Sequence, residues 1–223
     1  MNKVGRTLAS AATTIGLVLV ATGCSGNVIG ADGPQPGVAA QVEDTEISLS
    51  DLTEVVDGLC TLQEADPAAA ATSRAFAQTQ ILQAWVGALI AIEFADDQDL
   101  DVSAPDSGLE LSPGWDEVDE DDVEALTSYV DAFVLSSAIQ QAAGEEVPDP
   151  ADYDVAINPR FDVKLEDNAF VPAEAQLSVP VSDEAKIDTA APTNEQLREL
   201  PDDELCGNRP AAEPESPIPP VGG

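Results

Sequence analysis

The sequence predicts a mainly α protein: a three-helix core with a small two- or three-stranded β element, behind an export signal. Three observations lead there. Apolar residues recur at helical spacing in three long runs. Strand-like alternation is confined to short stretches. The N-terminus runs from basic to apolar to small residues and stops at a cysteine. The chain has 223 residues, 43 acidic and 8 basic side chains, no histidine and a formal net charge of -35. Such a surface repels phosphate backbones, so no nucleic-acid partner is expected. Without histidine there is no Ser-His-Asp triad, no Cys-His pair and no His-ligated zinc. The length suits one domain with residues left over.

Residues 1–23 read as a lipoprotein signal peptide. Lys3 and Arg6 precede an uncharged apolar stretch over residues 8–20, and Ala21-Thr22-Gly23-Cys24 follows. These residues resemble the bacterial lipobox, which implies cleavage before Cys24 and lipidation of that cysteine, palmitate included. The expected location is the extracytoplasmic face of the cell membrane, with the lipid as anchor. Residues 24–37, rich in Gly, Pro and Asn, read as a flexible tether. The mature chain would keep 43 acids against 6 bases, a net of -37.

The expected domain spans residues 38–163. Val38, Ala40 and Val42 alternate with Ala39 and Gln41, giving a short strand and then a turn before Ile47. Ser48 and Asp51 have capping-box spacing, and Leu52, Val55, Val56, Leu59 and Leu62 follow at helical spacing up to Asp66-Pro67. A second helix is expected over 69–95, carrying Phe76, Ile81, Leu82, Trp85, Leu89 and Ile92 on one side and Val86, Ile90 and Phe94 on another. A helix apolar nearly all round is a core helix or meets a partner. Its most apolar run, 81–94, is short for a bilayer span. Residues 96–115 read as a long loop. A third helix is expected over 119–143, opened by acids and closed by Gly144. Residues 153–157 alternate as a second strand, ended by Asn158-Pro159. Residues 164–223 read as an acidic, proline-rich tail with a short helix at 193–205 and a disordered end from 213.

With Cys24 acylated, Cys60 and Cys206 remain. An even number of cysteines in an oxidising compartment suggests one disulfide, and two unrelated buried thiols are the alternative. A bridge would close a loop for which chain entropy gives roughly 4 to 5 kcal/mol.

Asp97, Asp99 and Asp101 have calcium-loop spacing, but Val102 and Gly108 stand where that pattern needs Gly and Glu. With acids this abundant, paired carboxylates carry little information. No nucleophile elbow, Walker loop or dinucleotide fingerprint is present. No enzyme activity, metal or cofactor is expected.

Residues 38–56 (VAAQVEDTEISLSDLTEVV) resemble the opening of the SurA N-terminal family, with its strand, turn, Ile-Ser pair and Ser/acid-opened helix. The order of helices, the Val102-Ser103 junction, the Asn158-Pro159-Arg160-Phe161 element and residues 177–182 (LSVPVS) fit lipoproteins of actinobacteria with that domain. The turn departs from the family's common Asn-Gly, having Glu43-Asp44-Thr45, and the acidic loop is longer. The resemblance implies that residues 38–42 pair with 155–163. It implies a chaperone-like module whose partners are unfolded or exported polypeptides. It implies no prolyl isomerase activity, because parvulin sites use histidine. Ile81, Trp85, Leu89, Tyr129 and Phe133 are the candidate client contacts, with core packing as their other role. The alternative function is an envelope lipoprotein that binds a small ligand or calcium through its acidic surface.

Overall fold

The computed structural model describes residues 36–144, 146–166, 169–172 and 191–212. The expected signal peptide, Cys24, most of the tether, residues 177–182 and the proline-rich terminus lie outside these residues. The architecture is mainly α: three long helices pack together beside a three-stranded antiparallel sheet.

Strand β1 (Val38–Val42) turns through Glu43 and Asp44 into β2 (Thr45–Ser48), with Val42 opposite Thr45. The turn needs a left-handed residue, and Glu43 adopts it at φ 50°. Its amide donates to the Asp154 carbonyl at 2.8 Å, and its carboxylate accepts from the Asp154 amide at 2.7 Å. A side chain that bonds across to the neighbouring strand thus stands in for the usual Asn-Gly. β1 is the central strand, and an irregularity at 38–40 lets Ala39 bury along with Ala40. That breaks the simple alternation expected from the sequence.

Helix α1 (Leu49–Ala65) begins where Ser48 Oγ accepts from the Asp51 amide at 2.9 Å. It buries Leu52, Val55, Val56 and Cys60. Few cations are available to cap its C-terminus, and an amide does so instead: Asn208 Nδ2 donates to the Glu64 carbonyl at 3.0 Å.

The second helix starts later than its apolar pattern suggested. Thr72–Ser73 forms a short strand, β3, and α2 runs Arg74–Asp97 with Ser73 as its cap. Residues 72–73 are extended because they pair with residues 205–206, a constraint no local pattern carries. By length and composition α2 is able to cross a membrane, yet 56% of its most apolar stretch is buried inside the fold. It is the core helix, set against α1, α3 and β1.

Two short 3-10 turns, Leu109–Leu111 and Trp115–Glu117, shape the long acidic loop. Gly114 has φ +80°, and a Cβ there would overlap Ala65 of α1, so the loop docks where a side chain cannot fit. Helix α3 (Glu120–Ala143) is capped by Asp119 and ends at Gly144. It crosses α1 closely at Gly58, where a Cβ would lie 2.8 Å from Leu126 Cδ2.

Strand β4 (Val155–Ile157) pairs with β1, as the resemblance implied, but the pairing stops at Ile157. Asn158 closes it, with its amide on the Ala39 carbonyl and its Nδ2 on the Val38 carbonyl, both at 2.8 Å. Its Oδ1 caps the turn Pro159–Phe161, which drives Phe161 into the core at 1% exposure. The Asn-Pro-Arg-Phe element is therefore a structural clamp.

Residues 163 onward form a separate hairpin, β5 (Val163–Glu166) with β6 (Ala169–Pro172). Val163, the last residue of the expected domain, is the first residue of this hairpin. The short tail helix, α4, spans only Asn194–Glu199, with a capping box at Thr193 and Gln196, and Pro201 follows it. Cys206 lies in β7 (Leu205–Cys206), paired with β3, and not at a helix end.

Candidate functional site

The Cys60–Cys206 disulfide is present, with Cα atoms 4.7 Å apart. Both cysteines are at most 2% exposed. The bridge fixes residues 205–206 against α1, and β7 then holds β3 at the entrance to α2.

An apolar groove of about 390 Å³ opens at this junction. Leu59 and Gln63 come from α1; Phe76, Gln80 and Ile81 come from the first turns of α2; Pro192 and Cys206 close the C-terminal side. Between the helices lie Ala70 and Ala71, from a run of four alanines whose small side chains leave the space unfilled. No charged residue lines the groove, although 43 of the 223 residues are acids. The Gln63 and Gln80 amides offer donors and acceptors at its edge. Apart from the Thr72 hydroxyl and these amides the lining is mostly apolar, the kind of surface that takes up apolar side chains.

The five candidate contacts do not share one surface. Ile81 lines the groove while remaining 7% exposed. Leu89 is buried at 9% in the main core. Trp85, Tyr129 and Phe133 form a ladder from core to solvent. Trp85 is 7% exposed and meets the Tyr129 ring edge-on at 5.5 Å, and Tyr129 stacks on Phe133 at 6.3 Å. Burial pushes the Tyr129 hydroxyl pKa up. Only Phe133, 48% exposed, presents a large apolar face. Trp85 and Leu89 thus take the core-packing role that the sequence also allowed them. Leu59 and Phe76 were legible as helix-face residues, but nothing local signalled that they face Pro192.

Part of the acidity has local work. Asp66, Asp106, Asp119 and Asp149 each accept from the backbone amide two residues on, at 2.9 to 3.1 Å. Asp57 pairs with Arg74, joining α1 to the start of α2. Elsewhere like charges crowd. The Glu93 carboxyl is raised from its ordinary value by burial, then by Asp96, Glu43 and Asp97. Asp122 is raised by burial, then by Asp119 and Glu54, with Arg74 opposing. Among the described residues, no group of three or more carboxylates or cysteines is placed to hold a metal ion.

The chain matches no protein-family model, no curated protein and no solved structure.

Proposed function

We propose that this protein is a lipid-anchored extracytoplasmic holdase with a SurA-N-like core, which shelters apolar segments of exported polypeptides without catalysis. The observation that carries the reading is the charge-free groove between α1, α2 and the C-terminal segment, set in an otherwise strongly acidic chain. Apolar burial in the groove supplies the attraction. The charge around it keeps the loaded protein soluble. With no histidine in the chain, prolyl isomerisation has no parvulin-type site to run on.

The test uses the mature chain without its lipidated Cys24, from residue 25. It should slow aggregation of an unfolded exported protein without nucleotide and leave the isomerisation rate of a prolyl test peptide unchanged. A photoreactive residue at Gln80, exposed on the groove edge, should crosslink to the client. The same group at Gln140, exposed at the far end of α3, should not. Unaltered aggregation together with equal crosslinking from both positions would remove the holdase reading.

A further inference from the structure

A second cavity, of about 370 Å³, lies under the acidic loop against α3 and shares no lining residue with the groove. Its apolar part is Trp115, Leu109 and Leu111. Trp115 is half-buried against the main core, so the indole is a fixed wall. Leu111 is 88% exposed, the most exposed large apolar side chain among the described residues. Its side chain covers nothing within the fold and stands at the cavity's edge. The polar part comes from three acidic residues, Asp106, Glu110 and Asp131, with Ser107 and Thr127 beside them, and no cation lines the cavity. Among the described residues the arginines elsewhere have partners: Arg74 with Asp57, Arg198 with the Ala211 carbonyl, Arg209 with Asp202 and two carbonyls, and Arg160 over the Phe161 ring.

We propose that this cavity docks an arginine or lysine side chain of a basic polypeptide segment, with a neighbouring apolar residue of that segment lying on Leu111. Charge complementarity selects the occupant. An indole wall with carboxylates beside it attracts a guanidinium or ammonium head, while Leu109 and Leu111 cover its methylene stem. An anionic ligand would meet three like charges, and a purely apolar one would displace the water that solvates them. The inference rests on the polypeptide-binding reading and gives its clients a chemical class: segments that combine apolar residues with positive charge.

The probe is a ten-residue Gly/Ser-flanked peptide carrying Leu-Arg-Leu, compared with the same peptide bearing citrulline, which keeps the shape and loses the charge. Binding to the mature chain is measured by calorimetry at physiological salt. The arginine peptide should bind, and citrulline should weaken it about tenfold or more, the size of a lost charge-assisted contact. The double variant Glu110→Gln/Asp131→Asn should lose a similar factor, both side chains being exposed and safe for folding. Leu111→Ser should weaken binding severalfold. As a control for diffuse charge, Asp44→Asn/Glu46→Gln, exposed on the first hairpin, should change it less than about twofold. No binding, a citrulline peptide that binds equally well, or a control pair as costly as the cavity pair would each overturn the proposal. The aggregation assay and the Gln80 crosslinks report on the groove independently, so failure here is distinguishable from failure of the holdase reading.

Discussion

The three-helix block and the C-terminal segment 191–212 are held in place by different physics. In the block, Leu52, Leu82, Val86 and Leu126 are all fully buried, and the helices would find one another by apolar area alone. The segment buries only Leu197, Leu205, Cys206 and Gly207. Polar contacts complete it: Asn208 on α1, and Arg209 Nη1 on the Leu197 and Arg198 carbonyls at 3.0 and 2.8 Å. Its decisive tie is the disulfide, 146 residues apart in sequence. A stretch with so little apolar surface cannot offset its own ordering entropy by burial, so a covalent link stands in for a core. The groove lies on the seam between the two regimes, which makes its shape depend on the weaker one.

Removing the link should separate the two regions most visibly. Cys60→Ser or Cys206→Ser is expected to cost about 2 to 5 kcal/mol. Amide protection should vanish over 194–209 while circular dichroism still reports the three helices. Loss of the helices along with the tail would show that the block depends on the segment after all. The converse attack is on the block. Gly58→Val would force a branched side chain into Leu126, itself fully buried, and should cost about 1 to 3 kcal/mol by overpacking. Chemical denaturation should show this loss with the disulfide intact, and a neutral result would mean that α1 and α3 have slack at their crossing.

Asn158→Ala acts on the clamp that ties β4 to β1. It removes the side-chain donor to Val38 and the acceptor for Arg160, and about 1 to 2 kcal/mol should be lost. An unchanged denaturation midpoint would mean that water replaces both bonds at no cost.

The smallest effects are electrostatic and fall on both regions. Glu93 and Asp122 bind protons more tightly in the folded chain than at their ordinary values of 4.5 and 3.8. The native state therefore holds more protons than the unfolded one, and stability should rise as pH falls from neutrality toward those values, levelling off below them. Raising salt to about 1 M, where the Debye length is roughly 3 Å, should raise the melting temperature in the same sense by relieving repulsion. A melting temperature that drops between pH 7 and pH 5, or with salt, would mean that favourable carboxylate contacts outweigh the crowding.

Legibility in the sequence followed the range of the forces involved. Helices α1 and α3 were readable nearly to the residue, because Ser48, Asp119 and Gly144 stop or start a helix through bonds and dihedrals within one turn. The start of α2 is not marked locally, because Thr72 and Ser73 answer to residues 205–206. The tail helix was overextended because leucine spacing suggested more helix than Pro201 permits. The 163–172 hairpin does not stand out in the sequence, since strands of four residues give too short an alternation to mark themselves.

By itself the sequence determined the mainly helical class and the excess of negative charge, and it offered Cys60 and Cys206 as a candidate pair, since these depend on composition and on neighbours within a turn or two. Only the tertiary structure decided that Trp85 and Leu89 are core, that Ile81 edges a groove, and that Trp115, Leu111 and Asp131 share a cavity. The physical reason is that a cavity is what packing fails to fill. Its walls come from segments far apart in the chain, and no local periodicity records where their surfaces fall short of one another.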